Sequence, residues 1–157
     1  DDVRGIDGCS VPNWAMPVSA LATAFARMAT GEGLPRQRAE AARRIMAACW
    51  AEPELVSGPG RLDAHLMAGL PRRLFSKTGA EGVYCAALPE RGLGIALKAD
   101  DGNARASHAA MAAIACRLFP ELTPPPALAP LRNWRGFEVG KVRIGADLAR
   151  ALDRLAT

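Results

Sequence analysis

Apolar residues at Val18, Leu21, Ala22, Phe25, Ala26 and Met28 recur with the i, i+3, i+4, i+7 spacing of one helix face, which predicts an amphipathic helix over residues 17–29. Pro17 suits its first turn and Gly31-Glu32-Gly33 stops it. Pro35 then opens a second helix through Glu40, Ile45, Met46 and Trp50, closed by Glu52-Pro53. Two helices joined by a short glycine turn imply a helical hairpin. The run Ser57-Gly58-Pro59-Gly60-Arg61-Leu62-Asp63 reads as a structured loop, with Asp63 placed to N-cap a short helix over residues 64–68.

From Leu74 the pattern shortens to that of strands. Leu74-Phe75-Ser76 comes first, then residues 82–88 and 93–98, the last two joined through Pro89-Glu90-Arg91-Gly92 as an antiparallel hairpin. Asp100-Asp101-Gly102 ends the hairpin, and residues 104–118 form an alanine-rich helix whose Met111, Ile114 and Leu118 share a face that should lie on the sheet. Thr123-Pro124-Pro125-Pro126 is an extended connector, residues 133–144 read as a further strand, and residues 146–155 are helical in composition. With neither an internal repeat nor a long linker, residues 1–157 are expected to be a single domain. Its class is α/β mixed (α+β), an antiparallel sheet covered by helices.

Composition narrows the function classes. The chain is 50% hydrophobic and 23% charged, which places its 157 residues among folded globular domains and excludes disorder. The longest apolar stretch, residues 15–30, contains Pro17 and Arg27 and falls short of the roughly 20 apolar residues of a bilayer span. No membrane partner is expected. No secretory leader is evident either, so a cytoplasmic location is the expectation. The net charge of +4 is modest. Its basic groups, Arg36/Arg38/Arg43/Arg44, Arg72/Arg73 and Arg132/Arg135/Lys141/Arg143, are interrupted by Glu40 or flanked by acidic residues. They read as solvated faces, and no nucleic-acid partner is expected.

Cys49, Cys85 and Cys116 lie among alanines and aliphatics and read as small apolar residues; Cys9 lies in a polar, glycine-rich stretch and does not. Asp7 and Cys9, separated by Gly8, offer a carboxylate and a thiolate to a metal, but two ligands are short of the four of structural zinc. His65 and His108 fall on predicted helices, outside any ligand pattern. Ser76-Lys77-Thr78-Gly79 puts a cation, a hydroxyl and a bare backbone at a strand end. Lysine can anchor a carboxylate or, if desolvated or set beside a second lysine, act as a base; threonine can donate to the same ligand and glycine admits it to the backbone. A polar surface strand end is the plainer alternative. Glu81 and Asp63 suit acid–base or orienting work, and each also has a turn or capping explanation. None of the five serines stands in S-x-x-K, and G-x-S-x-G, Walker and H-E-x-x-H motifs are missing.

Four segments in order, Ile6-Asp7-Gly8-Cys9-Ser10-Val11-Pro12, residues 54–63, Lys77-Thr78-Gly79-Ala80-Glu81-Gly82-Val83-Tyr84 and residues 94–102, followed by Asn133-Trp134-Arg135-Gly136, resemble the rhizobial-type L-asparaginase II family. The resemblance implies a fold similar to the C-terminal half of serine β-lactamases and penicillin-binding proteins, and ATP-independent hydrolysis of L-asparagine to L-aspartate and ammonia. By that resemblance a serine of an S-x-x-K turn attacks the side-chain carboxamide with help from lysines, and Lys77 matches the second of these. Thr78, Gly79, Arg61, Asp63 and Glu81 fall in matched segments and are the expected substrate-binding or orienting residues. The resemblance further implies zinc beside the substrate, with Cys9 as a ligand and Asp7 as the neighbouring aspartate.

The chain departs from the family pattern in carrying no S-x-x-K. It begins Asp1-Asp2-Val3, and its first methionine is Met16. It is therefore expected to be the C-terminal portion of an asparaginase, inactive alone, with L-asparagine as ligand and the N-terminal half of the same protein as partner. A sheet face left uncovered would also favour homo-oligomers. The alternative is a non-catalytic module of the same fold that binds a small molecule or a protein at the Lys77-Thr78-Gly79 edge.

Overall fold

The computed structural model describes residues 4–154. Strands β1 (Arg4–Ile6) and β2 (Pro12–Trp14) pair as an exposed hairpin. They lead into helices α1 (Val18–Thr30) and α2 (Arg36–Ala51). Two short helices follow, α3 (Glu54–Ser57) and α4 (Leu62–Gly69). Strands β3 (Phe75–Thr78), β4 (Val83–Leu88) and β5 (Leu93–Lys98) form the central antiparallel sheet in the order β3-β4-β5. Helix α5 (Ala104–Leu118), a separate hairpin of β6 (Pro130–Arg132) and β7 (Glu138–Lys141), and α6 (Ala146–Arg154) complete the chain. The α+β class expected from sequence is the observed one.

The pleat of β4 divides the core. Tyr84, Ala86 and Leu88 face one way and pack with Leu62, Leu66, Met111, Ala112 and Ala115 of α4 and α5. Ala87 faces the other way, joining Phe75, Met46, Met67 and Ala29 in a second cluster that includes α1 and α2. This alternation is what a strand buried on both faces requires. Trp50 ties the second layer to the sheet, its indole N–H donating to Leu74 O at 2.8 Å.

The helix stops follow the sequence signals. Gly31 takes the left-handed conformation (φ 81°) and its N–H closes α1 on Arg27 O, while the Asn103 side chain accepts from Arg105 N–H to start α5. Three expectations are corrected. Asp63 is not an N-cap: α4 starts two residues earlier than expected, at Leu62, with Arg61 in the cap position, and the Asp63 carboxylate is drawn inward. Of residues 133–144, read as one strand, only Glu138–Lys141 forms one, and it lies outside the central sheet. Asn133 O and its side-chain oxygen accept from Gly136, Arg135 and Phe137, closing a turn that makes β6 and β7 pair with each other. The polar, glycine-rich stretch around Cys9, for which no strand is predicted, lies in the β1–β2 hairpin, whose three-residue strands are too short to show a period of two. Of the expected tail helix, Leu155 lies outside the described residues.

Helix α1 approaches β5 so closely that a Cβ on Gly94 would overlap the Ala22 carbonyl and meet Ala26 N at 2.7 Å. Gly94→Ala is therefore expected to push α1 off the sheet and cost about 1–3 kcal/mol in urea denaturation. Gly136→Ala, where a Cβ meets nothing within 4 Å, probes only the strain of its φ of 82° and costs less.

Candidate functional site

The start of α4, the end of β3 and the first turns of α5 converge on one buried carboxylate. Asp63 is 1% exposed. Its Oδ1 accepts from Tyr84 O–H at 2.5 Å and Ser76 Oγ–H at 3.2 Å, and its Oδ2 accepts from Thr78 N–H at 3.2 Å. Taking such a charge from water costs several kcal/mol, so the donors around it are a condition of folding rather than an ornament. They fasten the outer end of β3 to α4 and β4.

Around this hub lies a cavity of about 290 Å³ lined by Ser57, Arg61, Leu62, Asp63, Lys77, Thr78, Tyr84, Ala104 and His108. Four expected site residues, Arg61, Asp63, Lys77 and Thr78, are thus brought together. Lys77 and Thr78 arrive from opposite faces of β3: Thr78 pairs with Tyr84 on the α5 side and Lys77 with Cys85 on the α1 side. β3 is an edge strand, and the exposed Lys77 ammonium sits at its open end, where it donates to Thr78 O at 2.7 Å.

Gly79, Glu81 and Asp7 line a different cavity, of about 830 Å³, with Trp14, Met16 and Lys98. Gly79 N–H donates to Val83 O, and Glu81 takes a left-handed turn conformation (φ 52°). Glu81 therefore stands apart from the lining around Lys77. Cys9 is exposed in the β1–β2 turn and lines neither cavity. Asp7 Oδ1 accepts from Cys9 N–H at 2.9 Å and Val11 N–H at 3.0 Å, so this carboxylate oxygen holds the turn. Among the described residues no three His, Cys, Asp or Glu side chains are grouped to hold a metal ion.

Three members of the site escaped sequence reasoning. Tyr84 sits in an apolar strand pattern, and only its phenol marked it. Burial first, then the Asp63 charge and hydrogen bond, push its pKa far above the ordinary 10, with Ser76 opposing, so it remains a donor. His108 Nε2 lies 3.2 Å from Thr78 Oγ1, and its ring stands edge-on to Tyr84 at 5.3 Å between centroids. Burial lowers the His108 pKa from its ordinary 6.5, the Arg61 charge adds to this and Asp63 opposes it. Ser57 Oγ is buried on the cavity wall without a hydrogen-bond partner among the described residues. Elsewhere, His65 Nε2 contacts Thr123 O at 2.8 Å. Burial pushes the Cys85 thiol up to about 11 and raises Cys116 as well, in keeping with the apolar roles read for them.

Tyr84→Phe keeps the ring and deprives Asp63 of one donor; a loss of about 1.5–3 kcal/mol in urea denaturation is expected. His108, lowered in the folded state, binds fewer protons there than in the unfolded chain. Its contribution to stability is thus present above the unfolded pKa, near 6.5, and lost as pH falls below it. Thermal melts of His108→Gln should lose less Tm than wild type between about pH 7.5 and 5.5.

Comparison with known proteins bears on what this cavity serves. The family model for L-asparaginase II matches residues 1–144. No curated protein matches the chain. Among the described residues no helix is long and apolar enough to cross a membrane. The match spans both cavities, the Asp7–Cys9 turn and the whole central sheet, and by it the chain belongs to the L-asparaginase II family.

Proposed function

We propose that this chain supplies one wall of a site that hydrolyses L-asparagine to L-aspartate and ammonia. The supporting observation is the Asp63 clamp, which sets Thr78 beside Arg61 and Lys77 in one cavity. Arg61 offers a cation, and Thr78 a hydroxyl, to the carboxylate of an amino acid. The reaction is acyl transfer. A serine hydroxyl gives up its proton as its oxygen attacks the side-chain carboxamide carbon, the C–N bond breaks as the leaving nitrogen takes up that proton and departs as ammonia, and water then hydrolyses the ester to L-aspartate and free serine. Lys77 is the lysine of this chain assigned to proton transfer, on the match of Lys77-Thr78-Gly79 to the family segment. The nucleophile belongs to an S-x-x-K segment, which these 157 residues do not contain. That reading makes the chain inactive alone and places the missing serine on a complementing N-terminal segment. It carries with it the expected kinship to the C-terminal half of the serine β-lactamase fold.

The described residues do not compose a zinc site: one Asp7 carboxylate oxygen is engaged by the turn, and no third ligand stands near. In this proposal Cys9 contributes a single thiolate to a zinc ion completed from outside these residues, and no step of the reaction runs through it.

The test is ammonia release from L-asparagine by the chain alone, and after mixing with a separately expressed polypeptide carrying the family's S-x-x-K segment. Release only in the mixture, reduced at least about a hundredfold by Lys77→Ala, is expected for a general acid–base residue. Binding of L-asparagine with no release from an assembled mixture would instead establish the non-catalytic module.

A further inference from the structure

The chemistry assigned to the cavity leaves His108 unused, although its imidazole is placed against the substrate-facing hydroxyl. Thr78 Oγ1 is the one hydrogen-bond partner of this ring among the described residues, at 3.2 Å. A neutral imidazole carries one N–H. With the proton on Nδ1, that N–H would have no acceptor among the described residues; with the proton on Nε2, it is donated to Oγ1. Oγ1 then accepts on one lone pair, and its own hydrogen is directed toward the cavity. Both partners are held in place. Asp63 pins the Thr78 backbone N–H, and the Tyr84 ring meets His108 edge-on.

We infer that His108 is a positioning residue, donating from Nε2 to Thr78 Oγ1 and so making the Thr78 hydroxyl a donor to the carboxylate of a bound amino acid. The identity of that amino acid as L-asparagine rests on the function proposed above; the donor relay does not. The charged and titratable groups around the ring are Asp63 on α4, Arg61 before it, Lys77 on β3 and Tyr84 on β4. Protonating His108 leaves the Nε2–H donor in place and adds a positive charge beside the carboxylate. Affinity is therefore held or increased as pH falls, whereas an Nε2 acceptor would be lost on protonation.

A two-bond proton–nitrogen correlation spectrum of the isotope-labelled chain reads the tautomer with no ligand present, and titration with L-asparagine reads affinity from the Thr78 and Gly79 amide signals. The expected result is a proton on Nε2. His108→Leu and Thr78→Val should each weaken binding about tenfold, and His108→Gln, whose amide still donates, by no more than about threefold. Wild-type affinity should be no weaker at about pH 5.5 than at about 7.5. A proton on Nδ1, or unchanged affinity in both His108→Leu and Thr78→Val, overturns the relay. If His108→Leu fails to fold, Thr78→Val and the pH series decide it. Absence of L-asparagine binding in a mixture assembled with the S-x-x-K polypeptide, with the proton on Nε2, refutes the functional reading and leaves the relay standing.

Discussion

The burial of one ionised side chain constrains everything around it. Asp63 sits at 1% exposure between α4 and the sheet, where an unpaired carboxylate would cost several kcal/mol. Tyr84, Ser76 and the Thr78 backbone offset that cost, and each comes from a different part of the sheet's outer corner. The three donors can meet one carboxylate only when β3 and β4 are in a single register, with Thr78 opposite Tyr84. A slip by one residue would put Ser76 and Tyr84 on opposite faces of the sheet, so that one of the two side-chain donors would be lost to the charge. The polar cluster thus specifies the alignment that the flanking apolar residues merely favour.

That register also explains how three consecutive residues come to serve different surroundings. Thr78 faces α5 and His108, Lys77 roots on the opposite face and sits with its ammonium at the open strand edge, and Gly79 leaves the strand toward the second cavity. In a central strand the neighbouring chain would block the Lys77 position. As the edge strand, β3 leaves its outer backbone unpaired, and the Thr78 carbonyl is satisfied by that ammonium instead.

What the sequence made legible were features governed by spacing within one element. The apolar period located α1, α2 and α5, and the glycine and proline punctuation located their ends. Arg61, Asp63, Lys77 and Thr78 were legible as chemistry and do meet. What the sequence did not show was tertiary competition. Asp63 followed by an apolar run reads as an N-cap, yet donors 13 and 21 residues away outbid the local backbone for its oxygens. Tyr84 looks like any aromatic in a strand until its partner is known. His108 sits in an alanine-rich helix with no ligand spacing, and only the packing of α5 across β4 sets it beside Thr78. Residues 133–144 have strand composition, but whether a strand joins a sheet or folds back on itself depends on the Asn133 turn.

The titration of this cavity follows from the same arrangement. Tyr84 is buried against the Asp63 charge, so removing its proton would put two negative oxygens in contact; it stays a neutral donor wherever the protein is folded. His108 differs because its influences oppose one another: burial, the largest, favours the neutral ring, Asp63 favours the cation, and Arg61 adds to the effect of burial, so the pKa is lowered. In the proposed site, a ligand carboxylate entering beside Thr78 would add negative charge on the side facing the imidazole and favour the cation, which would couple binding to proton uptake through His108. The buried aspartate that fixes the strand register is therefore also the group against which any incoming negative charge is weighed.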